Sequence, residues 1–99
     1  MKNIIDKLNK SFENRIRLGI MSALMVNDYA DFNTLKALLN VTDGNLASHL
    51  KALENNKYIE VNKEFIDRKP NTKYIASKEG KKAFHDHLAA LEELIKKQN

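Results

Sequence analysis

The chain has 99 residues, one domain's worth, so core, binding surface and any subunit contact must come from a single compact unit. A composition of 42% hydrophobic and 30% charged residues, with one Pro and three Gly, is that of an ordinary folded protein, and the lack of Cys excludes a disulfide framework, a thiolate metal site and a cysteine nucleophile. The formal charge of +4 suits a polyanionic partner without requiring one, and no apolar run approaches the ~18 residues that span a bilayer, so a cytoplasmic protein with no membrane partner is expected.

Within residues 3–12 the apolar side chains Ile4, Ile5, Leu8 and Phe12 have the spacing of one helical face, which predicts a short helix or an extension of the next one. Residues 17–26 carry a denser pattern, Leu18, Ile20, Met21, Leu24 and Met25, expected of a first helix buried on more than one side. Turn-favouring residues then intervene at 27–31, with Asp31 or Asn33 able to cap a second helix over 34–39 that presents Leu35, Leu38 and Leu39. Asn40 suits a left-handed stop and Thr42 a cap, so two helices meet here across a tight turn.

The third helix covers 43–55. Leu46, Ala47, Leu50 and Leu53 are expected on its inner face, and Asp43, Asn45, Ser48, His49, Lys51 and Ala52 largely on the outer one. Past Lys57 the period changes to alternation, with Ile59, Val61 and Phe65 on one side of a strand and Glu60, Asn62 and Glu64 on the other. Residues 67–71 read as a turn containing Pro70, and 72–76 as the returning strand of a two-stranded hairpin with a basic tip. Ser77 caps a final helix reaching about residue 97, roughly 30 Å long. On it Phe84, Leu88, Leu91 and Ile95 form a stripe.

This order predicts an α+β, mostly α domain: a winged helix-turn-helix with a three-helix core, a two-stranded β wing and a long C-terminal helix, spanning 1–99 without a linker. A helix pair of this kind suits double-stranded DNA because its second helix fits the major groove, where each base pair shows a distinct donor and acceptor pattern. Thr42, Asp43, Asn45, Ser48, His49 and Lys51 are the candidate contacts on that helix. Arg68 has the length to enter the adjacent minor groove, Lys69 can sit over phosphates, and Lys73 extends the basic surface. His49 has a structural alternative, packing its ring on the second helix and capping a carbonyl.

Several runs together resemble a known family: Arg17-Leu18-Gly19-Ile20-Met21, Asp31-Phe32 with Leu35-Lys36, Thr42-Asp43-Gly44-Asn45-Leu46-Ala47-Ser48-His49-Leu50, Tyr58-Ile59, Lys69-Pro70-Asn71-Thr72-Lys73-Tyr74 and Ser77-Lys78-Glu79-Gly80. They are similar to winged-helix regulators related to the MarR and ArsR families, above all a compact MarR-like subgroup, over residues 14–84. The resemblance implies a dimeric DNA-binding regulator of transcription. One departure is Lys57, where the family commonly has Gly; a side chain in a left-handed helix stop costs on the order of 1 kcal/mol.

The last helix is longer than a domain of this size can cover, so residues 84–99 and 1–12 are expected to form the homodimer contact through Phe84, Leu88, Leu91 and Ile95 beside Ile4, Ile5 and Leu8. His85 and His87 invite a metal reading, but residues two apart on a helix diverge by about 200°, and neither a metal nor another cofactor is expected. No phosphate loop, paired carboxylates or catalytic triad points to an enzyme, and whether a small effector binds is left open. The alternative from a different class is a winged-helix module that docks proteins, which an apolar patch on the helix-and-wing surface would favour.

Overall fold

A computed structural model describes residues 3–97. The elements are α1 (Arg15–Val26), β1 (Ala30–Asp31), α2 (Phe32–Leu39), α3 (Asp43–Asn55), β2 (Ile59–Ile66), β3 (Lys69–Ala76) and α4 (Lys78–Lys96), preceded by two single turns of 3₁₀ helix at Ile4–Lys7 and Lys10–Phe12. This is the expected winged helix, mostly helical, with one strand more than the sequence pattern suggested.

Each helix begins where a side-chain oxygen meets free backbone N–H groups. Asn14 Oδ1 accepts from the N–H groups of Ile16 and Arg17, Asp31 Oδ1 from Thr34, Thr42 Oγ1 from Asn45 and Ser77 Oγ from Gly80. Asn40 ends α2 in the left-handed region at φ 52°, as its residue type favours, and α3 starts only three residues later.

α1, α2 and α3 close over Ile20, Met21, Leu24, Leu35, Leu46 and Leu53, all fully buried, and each such aliphatic side chain is worth about 1.5–3 kcal/mol of transfer free energy. Ala47, expected with that inner face, is exposed. Ile59 and Ala76, paired at the base of the hairpin, join the same core.

The sheet has the order β1-β3-β2 and is antiparallel throughout. β1 is the strand the sequence did not reveal: Ala30 pairs with Tyr74 and Asp31 with Lys73, which makes β3 central. The wing turn is also shorter than expected, only Asp67-Arg68, both with positive φ (52° and 67°). Pro70 lies inside β3 opposite Phe65. It is one residue past the closing Ile66–Lys69 pair, where antiparallel alternation turns its missing N–H away from β2, and β1 does not reach that far.

The N-terminal segment is not one helix. Asn9, extended at φ −92°, accepts from the Ser11 N–H and so caps a second turn instead of continuing the first. This segment folds back on α4, where Lys7 pairs with Glu93 at 3.1 Å and the Asn9 N–H donates to His87 Nδ1 at 3.0 Å. Phe12 fills the core against Phe84, ring centroids 5.3 Å apart edge to face. Phe84, only 5% exposed, therefore belongs to the monomer core and not to the dimer stripe, a correction to the expectation above. His87 is also buried whereas His85 is exposed, the divergence expected of residues two apart.

The molecule is elongated. The radius of gyration, 15.1 Å, exceeds the ~13 Å of a compact 100-residue domain, and the long axis is 56 Å. Among the described residues, no helix is long and apolar enough to cross a membrane.

Candidate nucleic-acid interface

The first turn of α3 stands clear of the body. Thr42, Asp43, Gly44, Asn45 and Ser48 are all exposed. Thr42 caps the helix, Asp43 pairs with Lys36 of α2 at 2.7 Å, and Asn45 is committed only through its backbone. The exposed pair is worth no more than about 1 kcal/mol, so Lys36 can turn to another anion at little cost. Free N–H groups at this end, with the partial positive charge of the helix dipole, favour an anion such as a phosphate.

Gly44 is conspicuous for what surrounds it. A Cβ there would meet no heavy atom within 4 Å, so nothing inside the protein requires glycine at a helical position where Ala would add up to about 1 kcal/mol of stability. In the sequence Gly44 stands only within the motif that follows Thr42; its signal there is a glycine one step inside a well-capped helix.

His49 is half-buried. Its Nδ1 lies 3.0 Å from Nη1 of Arg17 on α1, and Arg17 Nε in turn donates to the Ser11 carbonyl at 2.6 Å. The expected structural alternative, a contact with α2, is thus replaced by one with α1. Burial, and then the Arg17 guanidinium, holds the imidazole below its ordinary value of 6.5. Arg17 belongs to the site on this ground, and periodicity had given no reason to include it.

Lys51 pairs loosely with Glu54 at 3.4 Å along the exposed edge of α3. Beside it a groove of about 240 Å³ runs between α3 and the hairpin, lined by Ala47, Lys51 and Glu54 on one wall and Val61, Lys63 and Tyr74 on the other. Burial, with Glu54 nearby, raises the Tyr74 phenol above its usual range.

At the wing tip Arg68 and Lys69 are exposed and, among the described residues, have no ion-pair partner. Lys73 is different: it sits low on the wing, bonded to Glu64 at 3.0 Å and lying 4.4 Å from the centre of the Tyr29 ring. That carboxylate raises Lys73 and is itself lowered by it. The tip also carries Phe65, 79% exposed, and Ile66. Phe65 keeps the side expected from alternation, but six residues past Ile59 the strand is ~20 Å beyond the core edge.

The residues expected at a subunit contact fall into three groups. Phe84 is internal, and Ile4 and Leu8 are half-buried in the segment that lies on α4. Ile5, Leu88, Leu91 and Ile95 are exposed, three of them along one stripe of α4. Positions 1, 2, 98 and 99 of the expected dimer segments lie outside the described residues.

Comparison with known proteins agrees with this fold. The model of the family described as "Winged helix DNA-binding domain" matches residues 16–95. A protein of Methanocaldococcus jannaschii, itself described as uncharacterized, is 36% identical over 87 residues, covering 88% of this chain and 95% of its own. A transcriptional regulator homologue protein from Pyrococcus horikoshii superposes with a TM-score of 0.85 at 30% identity, covering 97% of this chain and 93% of its own. The ytfH protein of Salmonella typhimurium gives 0.71 at 25% identity, with coverage of 88% and 76%.

Proposed function

The chain belongs to the winged helix DNA-binding domain family, and from that premise we propose that it is a homodimeric regulator of transcription, a repressor, that reads a pseudo-palindromic operator in double-stranded DNA. α3 enters the major groove with Asn45, Ser48 and His49 toward base edges; Thr42, Lys51 and the helix N-terminus hold phosphates, and Arg68 reaches the flanking minor groove with Lys69 and Lys73 behind it. Ile5, Leu88, Leu91 and Ile95 form the contact between subunits, which sets two copies of α3 about one helical turn of DNA apart.

The observation that carries this reading is the choice of residues at Gly44 and Arg68. Gly44 is a glycine where the helix favours alanine, and Arg68 is an arginine at φ 67° where the turn favours glycine. Each substitution against local preference costs on the order of 1 kcal/mol. Both concern groups directed at solvent, and both fit one duplex: a bare backbone to approach a phosphate, and a long planar cation to enter a groove. Residue choices that oppose folding in this way mark sites selected for an external partner.

The exposed Phe65 and Ile66 at the wing tip favour a second reading, in which the wing docks on a protein. Anisotropy titration against fragments of the source genome separates the two. Selective binding to a few fragments, weakened in Arg68→Ala but kept at parental strength in Phe65→Ser, supports the operator reading. Binding to no fragment at low salt overturns it.

A further inference from the structure

Arg17 joins two elements through two different atoms. Its Nε holds the Ser11 carbonyl at 2.6 Å, which ties the N-terminal segment to α1, and its Nη1 meets His49 Nδ1 at 3.0 Å. A guanidinium carries five N–H donors, accepts nothing and does not deprotonate in proteins. The only hydrogen bond available between these atoms therefore runs from Arg17 to His49. Nδ1 must offer its lone pair, and a neutral ring must carry its proton on Nε2.

Nε2 has no partner among the described residues, yet no buried side-chain nitrogen or oxygen among them lacks one. Nε2 is accordingly open to solvent. His49 lies one helical turn beyond Asn45 and next to Ser48 in the chain, half-buried on the flank of α3 between its exposed face and the face turned to α1.

We propose that Arg17 fixes the hydrogen-bonding polarity of His49, so that the imidazole meets DNA as a donor only and selects an acceptor there, a purine N7 in the major groove. This rests on the DNA reading given above and narrows it. A free histidine offers a donor or an acceptor according to its tautomer, and so accepts more than one base; one locked by a guanidinium does not. An N6 or N4 amino group facing Nε2 would present donor to donor and be rejected. Arg17 is a positioning residue here, since it acts through His49. Guanine O6, thymine O4 and a phosphate oxygen are further acceptors of the same chemistry.

The test has two arms on the full-length protein. Imidazole ¹⁵N NMR of the free protein reads the tautomer, with Arg17→Met and Arg17→Lys as variants. The expected result is a proton on Nε2 in the parent and, in Arg17→Met, a mixture of tautomers with a His49 titration midpoint moved up toward 6.5; Arg17→Lys restores part of the parent signature. A proton found on Nδ1 in the parent overturns the proposal. In the second arm, selected operator DNA carries 7-deazapurines or methylphosphonates, one position at a time. One 7-deazapurine per half-site should weaken the parent roughly 5- to 10-fold and Arg17→Met much less. A loss confined to one methylphosphonate assigns Nε2 to phosphate and overturns the base-selecting role. Should no DNA bind while the Nε2 proton is found, the operator reading fails, and base selection with it, while the polarity set by Arg17 stands.

Discussion

The carbonyl oxygen of Tyr58 occupies the space that a side chain on Gly80 would need. A Cβ built there meets that oxygen, and the carbonyl carbon at 2.8 Å. The contact joins the turn after α3 to the first turn of α4. Ser77 completes the joint by donating its N–H to the same carbonyl at 2.9 Å and its hydroxyl to the Lys57 carbonyl at 2.7 Å. Because the obstruction is backbone, it cannot rotate aside. Gly80→Ala should lower unfolding free energy by about 1–3 kcal/mol, read as a shift of the urea midpoint, with DNA affinity measured at saturating stability little changed.

Gly44→Ala should have the opposite profile. With open space around the site, the helix gains up to about 1 kcal/mol of stability, while an added methyl on the face proposed to meet DNA should lower operator affinity. Thermal melting and anisotropy on one preparation check both signs. A stabilised variant with parental affinity would show that DNA does not approach this turn.

Asn45→Ala and Arg68→Ala should differ in kind. Loss of Asn45 removes an amide able to bond adenine twice, so preference at one position per half-site relaxes by about 1–3 kcal/mol. Loss of Arg68 weakens all sequences nearly alike and makes the salt dependence shallower. Binding isotherms on an operator panel at two salt concentrations distinguish the two patterns.

Stability should fall as the solution turns acid, beginning near pH 6.5. The folded state holds His49 below its ordinary 6.5, through burial and then Arg17, so the unfolded chain takes up this proton first. The contribution of neutral His49 is complete above pH 6.5 and is lost as pH falls from there through the lowered folded value. Urea midpoints between pH 7.5 and 5 should decline less in His49→Gln than in the parent.

Leu91→Glu should give a monomer by sedimentation at concentrations where the parent is a dimer, because a carboxylate on the exposed α4 stripe cannot be covered by an apolar partner. Circular dichroism should stay parental, since Leu91 lies outside the core, and tight operator binding should be lost with the second copy of α3.

The parts of the fold legible in sequence are those specified by neighbours in the chain. Thr42 and Ser77 announce helix starts because their hydroxyls act within three residues, and Asn40 announces a stop because its own backbone adopts φ 52°. Periodicity identified the leucine face of α3, though not the exposure of Ala47, and the stripe of α4, but not what each meets. Phe84 and Leu88 belong to one stripe, and only the position of Phe12 decides that the first is internal. Phe65 shows the converse, an alternation that continues after the core has ended. β1 is two residues paired with a strand more than 40 positions later, and the Arg17–His49 contact spans 32, so neither leaves a local trace. Within the candidate site, the exposure of Asp43, Asn45, Ser48 and Lys51 was predictable, whereas the half-burial of His49 and Ala52, expected with them, and the engagement of Lys73 by Glu64 and Tyr29 were not.

Asp31 belongs to two structures at once. Its backbone pairs with Lys73 in the sheet, and its side chain accepts the Thr34 N–H at 2.8 Å at the head of α2. The hairpin and the head of α2 are thereby joined at this residue, beside the Ala30–Tyr74 pair, like the two jaws of a caliper held at one width. A duplex meeting both must bring its grooves to that opening. Flexible steps that yield to the gauge are then favoured over stiff ones, even at base pairs no side chain touches.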